Sequence, residues 1–111
     1  MNALRDAAPV FDLDRRRIQQ ALEQRARYKY VAPRIEREGD GWKIVSPNCS
    51  RTVDPSGGEI DIAWFEPQAD GRWRLHARDH GQAAWVVRAE DLTLLQALAL
   101  VCDDTDRIYW P

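Results

Sequence analysis

The chain has 111 residues and a mass of 12.8 kDa, the length of one ordinary domain that needs no metal or disulfide to hold its core, and a two-domain arrangement is excluded. Leu, Ile, Val and Phe supply about 22 % of it at a net charge of −2, which places it on the folded side of the disorder boundary. The longest nearly apolar run, Leu92 to Cys102, is about half of the ~20 residues a membrane helix needs. The first residues lack the basic and apolar regions of a secretory signal, and Cys49 and Cys102 make no disulfide framework, so a cytoplasmic chain without a membrane partner is expected. Of 16 basic residues only Lys29 and Lys43 are lysine. Because 18 acidic residues balance them, any anion site must be local rather than a field of the whole molecule.

Residues 1–12 contain Pro9 and little periodicity and are expected as a flexible lead-in to a single domain over residues 13–111. A first helix is expected from Leu13 to about Arg27, with Ile18, Ala21, Leu22 and Ala26 on one stripe. Asp14 is the expected N-cap, which sets Arg15, Arg16 and Arg17 in the first turn against the helix dipole. From Val31 the period becomes two. Arg34 to Glu38 reads as a polar edge strand after Pro33, Gly39-Asp40-Gly41 as a turn, and Trp42 to Val45 as its partner. The polar stretch Ser46 to Gly58 is long enough for an unstructured connection to suggest a functional loop.

Glu59 to Glu66 and Arg72 to Asp79 alternate and are joined through Pro67 to Gly71. Facing Trp64 with Trp73 sets Ile62 against Leu75, Phe65 against Arg72, Ala63 against Arg74, Asp61 against His76 and Glu59 against Arg78. That register seals both indoles beneath a helix and leaves Phe65 with the guanidinium row. A fifth strand, Ala83 to Arg88, follows a turn at His80-Gly81, its register open by one residue. Glu90-Asp91 is expected to open a second helix over Leu92 to about Cys102, with Leu94, Leu95, Leu98, Val101 and Cys102 turned inward and Leu100 outward as a hint of a partner surface. The run Asp103, Asp104, Asp106 ends it, and Trp110 either docks on the fold, the favoured reading, or offers an aromatic handle to another protein. The fold expected is α+β: a helix, an antiparallel meander of about five strands, and a C-terminal helix, both helices largely on one sheet face.

A basic N-terminal helix, a meander containing Gly71-Arg72-Trp73-Arg74-Leu75-His76, a later strand with Trp85, a Leu-rich helix and the close Tyr109-Trp110 resemble a family of small bacterial proteins known only as a domain of unknown function. The resemblance spans roughly residues 13 to 111 and departs at Ser46-Pro47-Asn48-Cys49-Ser50-Arg51. It implies bacterial origin and fold, and brings no activity, cofactor or catalytic residue.

Several constellations carry chemistry in principle. Cys49, near Arg51, with His76 or His80 could form a thiol–imidazole pair, although His76 is already explained as a cross-strand partner of Asp61. Cys49, His76, His80 and Cys102 lack the short ligand spacing of a zinc site, and no cofactor motif occurs. Arg16, Arg17 and Arg27 make a basic patch on the first helix, one that departs from local helix rules as functional sites do. Arg72, Arg74, His76 and Arg78 with Phe65 have the ingredients of a single-strand nucleic-acid platform, opposed by the carboxylates Glu59 and Asp61 on the next strand.

The leading expectation is a non-enzymatic module engaging an unidentified protein through the open sheet face, the Ser46 to Gly58 loop or the Leu100 region, with a homodimer as one form. The surface residues nominated are Arg16, Arg17, Arg27, Cys49, Arg51, Arg72, Arg74, His76, Arg78, Leu100 and Trp110. Nucleic-acid binding through the arginines and thiol catalysis through Cys49 are the alternatives, and the balance leans away from an enzyme.

Overall fold

A computed structural model describes residues 2–25, 32–47 and 58–111. In chain order these form helix α1 (Asn2–Gln24), strands β1 (Arg34–Glu38), β2 (Gly41–Pro47), β3 (Glu59–Pro67), β4 (Trp73–Asp79) and β5 (Ala84–Leu92), and helix α2 (Leu94–Asp103). The strands make one antiparallel sheet in the order β1-β2-β3-β4-β5, so the chain has the α+β meander its alternating sequence implies. No helix of the described residues is long and apolar enough to cross a membrane. Of the nominated residues, Arg27, Cys49 and Arg51 lie outside the described residues, as does most of the Ser46 to Gly58 loop.

One sheet face carries Ile35, Trp42, Ile44, Ala63, Phe65, Leu75 and Ala77 into a single cluster with Ile18 and Leu22 of α1 and Leu94, Ala97, Leu98 and Val101 of α2. Both helices therefore cover the same face. Each fully buried aliphatic or aromatic side chain there stabilises the fold by about 1.5–3 kcal/mol. The β1–β2 turn brings the backbone so close to β3 that a Cβ on Gly41 would lie 1.9 Å from the Phe65 carbonyl oxygen, and only glycine fits.

The β3–β4 register differs from the expected one by three residues. Phe65 stands opposite Leu75, Trp64 opposite His76, Ala63 opposite Ala77 and Pro67 opposite Trp73. The turn explains the difference: Gln68 N–H donates to Arg72 O at 2.8 Å, Gly71 N–H returns to Gln68 O at 3.2 Å, and the Asp70 carboxylate accepts from Arg72 N at 3.0 Å, closing the hairpin around residues 68–72. An odd shift would send the apolar row to the wrong face, but β3 carries a bulge. Ile44 faces Ala63 while Val45 faces Asp61, leaving Ile62 as the extra residue. The bulge lets Ile60, Ile62, Ala63 and Phe65 all be buried and turns Trp64 to the helix-free face. Trp73 is sealed under the helices as expected; Trp64 is not, and Phe65 is core rather than wet.

Both helix starts differ as well. Helix α1 begins at Asn2, so Asp14 is interior and not an N-cap. Ala3, Leu4, Arg5, Ala7 and Ala8 are strong helix formers and carry the helix back through the expected lead-in despite Pro9. Arg15, Arg16 and Arg17 are then mid-helix, and the conflict with the dipole disappears. β5 runs on through Glu90 and Asp91 to Leu92, and α2 is capped by Thr93, whose hydroxyl accepts from Gln96 N at 3.1 Å while the Gln96 side chain accepts from Thr93 N at 2.9 Å, a capping box. That start turns Ala97 inward and leaves Leu95, expected inside, 79 % exposed.

Candidate functional site

The helix-free face of the sheet is a mosaic of rings and charges. Trp64 stacks on His76 with centroids 4.2 Å apart and donates its Nε1–H to the Glu38 carbonyl oxygen at 2.9 Å. Trp85, 5.9 Å from Trp64, carries the Arg78 guanidinium 5.0 Å over its ring and donates to Glu38 Oε2 at 3.3 Å. His76 is only 6 % exposed. Its Nε2 lies 2.9 Å from Glu66 Oε1, and its buried Nδ1 has no hydrogen-bond partner among the described residues. With Nε2 donating to Glu66, Nδ1 is left as a lone pair rather than an unsatisfied N–H.

Among the described residues, the strand cations on this face are engaged by carboxylates. Lys43 Nζ reaches Asp61 at 3.2 Å and Glu38 at 3.7 Å. Arg78 reaches Asp61 at 3.7 Å, and Arg74 reaches Glu90 at 2.8 Å and Glu66 at 3.4 Å. Arg34 bridges to Glu36 and, through Nε at 3.0 Å, to Glu59. The row Arg74, His76, Arg78 is real, but its partners are not the expected ones: Asp61 holds Lys43 and Arg78, His76 takes Glu66, and Arg72, outside the strand, sits 3.7 Å from Asp91. On α1, Arg16 and Arg17 are exposed, with Arg17 3.8 Å from Asp14.

The other distinctive surface lies where β5, α2 and the chain end meet. Arg88, Ala89 and Leu92 of β5, Gln96, Ala99, Leu100 and Asp103 of α2, and the segment through Thr105, Asp106, Ile108 and Tyr109 enclose a groove of about 630 Å³. Leu100 is 44 % exposed on its wall, as the helical wheel requires. A hollow of about 570 Å³ separates α1 from α2 beside Leu95 and Arg17.

Asp104 holds the groove's far end in place. It is the α2 C-cap, left-handed at φ 41°, and its carboxylate accepts from Ile108 N at 2.7 Å, Tyr109 N at 3.1 Å and Trp110 N at 2.9 Å. Trp110 then donates its Nε1–H to Val101 O at 2.9 Å and is 3 % exposed, with the Arg25 guanidinium 5.0 Å over its ring. Trp110 thus docks on the fold and is no handle. The sequence places Asp104 in the run that ends α2, as it does; its anchoring role is not legible there, and the signal for it is the nearby pair Tyr109-Trp110.

Cys49 lies outside the described residues, so the thiol and the further imidazole that can be placed are Cys102 and His80. Burial pushes the Cys102 thiol up from its ordinary value, away from thiolate, and its Sγ–H lies 3.6 Å from the Ala21 carbonyl. Burial, with Arg78 nearby, lowers the pKa of His80. Among the described residues no group of three His, Cys, Asp or Glu side chains is placed to hold a metal ion.

The chain belongs to the family described as Domain of unknown function (DUF3024), whose pattern matches residues 6–111. No curated protein and no solved structure matches it.

Proposed function

We propose that this member of a domain family without assigned activity is a protein-interaction module that meets its partner in the groove beside Leu100. The observation that carries the reading is the groove itself: an apolar lining of Ala89, Leu92, Ala99 and Leu100 next to the acidic side chains of Asp103 and Asp106. A soluble surface rarely leaves a leucine on a concave apolar wall without use for it. The open sheet face speaks for the same class of function by elimination. A nucleic-acid phosphate would have to displace Glu66 and Glu90 from Arg74 and Asp61 from Arg78, and each exchange returns less than a free guanidinium would give. A partner that offers an apolar side chain beside a basic one suits the groove in shape and sign.

The test is capture from the native host with three baits: wild type, Leu100→Asp and Arg74→Ala. A protein retained by wild type and Arg74→Ala but lost by Leu100→Asp supports the groove. A salt-sensitive shift of single-stranded nucleic acid that Arg74→Ala abolishes would overturn the reading in favour of the arginine row.

A further inference from the structure

We infer that two copies of this chain join edge to edge, β5 against β5 in antiparallel pairing about Val86. This rests on the reading of the chain as an interaction module, but it assigns a second surface, next to the groove, and names the partner. The sheet ends in two unlike edges. β1 follows Pro33 and reads Arg-Ile-Glu-Arg-Glu, charged at four of its five positions, the composition that discourages strand addition. β5 begins Ala84-Trp85-Val86-Val87 without a charge, and Val86 and Val87 are 41 % and 45 % exposed.

The pairing of β5 with β4 shows where a new strand fits. From Asp79↔Ala84 to His76↔Val87 the register runs one to one, and its irregularities begin only beyond Val87, where Arg88, Glu90 and Asp91 also guard the edge. Flat, uncharged edge is therefore confined to the first half of β5. A two-fold axis normal to the sheet keeps each face on its own side. Centred on Val86, it sets Val86 against its mate on the helix-bearing face, and Trp85 against Val87 twice on the open face, an aromatic with β-branched pairing that sheets favour.

Charge selects the same register. Centring on Arg88 would oppose two guanidiniums. Centring on Val86 instead places the mate's Arg88 beside Ala84, whose other neighbour in the row is Asp79. Among the described residues neither Asp79 nor Arg88 forms an ion pair within the chain, and the small alanine between them leaves a path for the arginine. The contact occurs twice by symmetry.

The experiment is sedimentation equilibrium of the full chain with three variants. Wild type is expected to give twice the 12.8 kDa chain mass, dissociating on dilution; Val86→Lys gives the monomer mass with an unchanged far-ultraviolet spectrum, and Leu100→Asp remains dimeric. In a C49S/C102S background, Val86→Cys is expected to cross-link to its mate under mild oxidation. A wild-type chain that is monomeric at its highest soluble concentration, a dimer indifferent to Val86→Lys, or a Val86→Cys chain that stays uncross-linked overturns the inference; the cross-link decides alone if Val86→Lys misfolds. A monomer that still captures a host protein through Leu100 overturns the dimer and leaves the groove standing. A dimer whose captures ignore Leu100→Asp does the reverse.

Discussion

The two faces of the sheet solve the same problem, covering a pleated surface, by opposite means. The helix-bearing face is closed by shape: Phe65, Leu75 and Ile44 are wholly buried among the side chains of α1 and α2. The other face has no helix among the described residues and is closed by its own side chains, with Trp64 lying on His76 and six carboxylates holding four cations. Apolar packing there would have left an exposed oily patch, whereas charge alone would have left the strand backbones wet. The contrast teaches that tryptophan in a small sheet is not by itself a mark of the core: Trp73 serves the first face, Trp64 and Trp85 the second.

If the first face carries the stability, Phe65→Ala should cost about 3–5 kcal/mol in urea denaturation, and a smaller loss than that for Trp64→Ala is part of the same expectation; equal losses would erase the distinction between the faces. Asp104→Ala should follow closely, at roughly 3 kcal/mol or more, since it strands backbone N–H groups each of which costs about 1–3 kcal/mol when unsatisfied, and Trp110 emission should shift to the red as the chain end detaches. Thr93→Ala removes half of the capping box and is expected to cost about 1 kcal/mol. Arg74→Ala, on the ion-paired face, should cost less than about 1 kcal/mol and lose even that in high salt. The smallest effect is one of pH. Burial keeps His80 from protonating at its ordinary value of 6.5, so the unfolded chain takes up the proton first. Stability is then complete above that pH and falls as pH drops below it, and His80→Gln should flatten this acid-side decline in a thermal melt series.

Element order, strand count and the shared helix face were legible because hydrophobic periodicity is a local signal that this chain keeps almost everywhere. The register of β3 on β4 was not, because it depends on where a five-residue turn closes and on one bulged residue. Its trace was in Ile62-Ala63-Trp64-Phe65, where the two-residue period breaks. The true start of α2 was also written plainly in Thr93-x-x-Gln96, but the acidic pair at Glu90-Asp91 imitated a helix opening three residues too early. Of the surface residues, Leu100 was readable from a helical wheel alone, while the arginine row was expected against Glu59 and Asp61, and the register instead brings Glu66 and Glu90 to Arg74, Glu66 to His76 and Asp61 to Arg78.

Asp104 gathers the final turn of the chain, and Trp110 is packed against α2 rather than trailing from it. During synthesis the domain therefore cannot close its interior until the segment bearing Trp110 has emerged from the ribosome; up to that moment the sheet is complete in sequence yet lacks its last wedge.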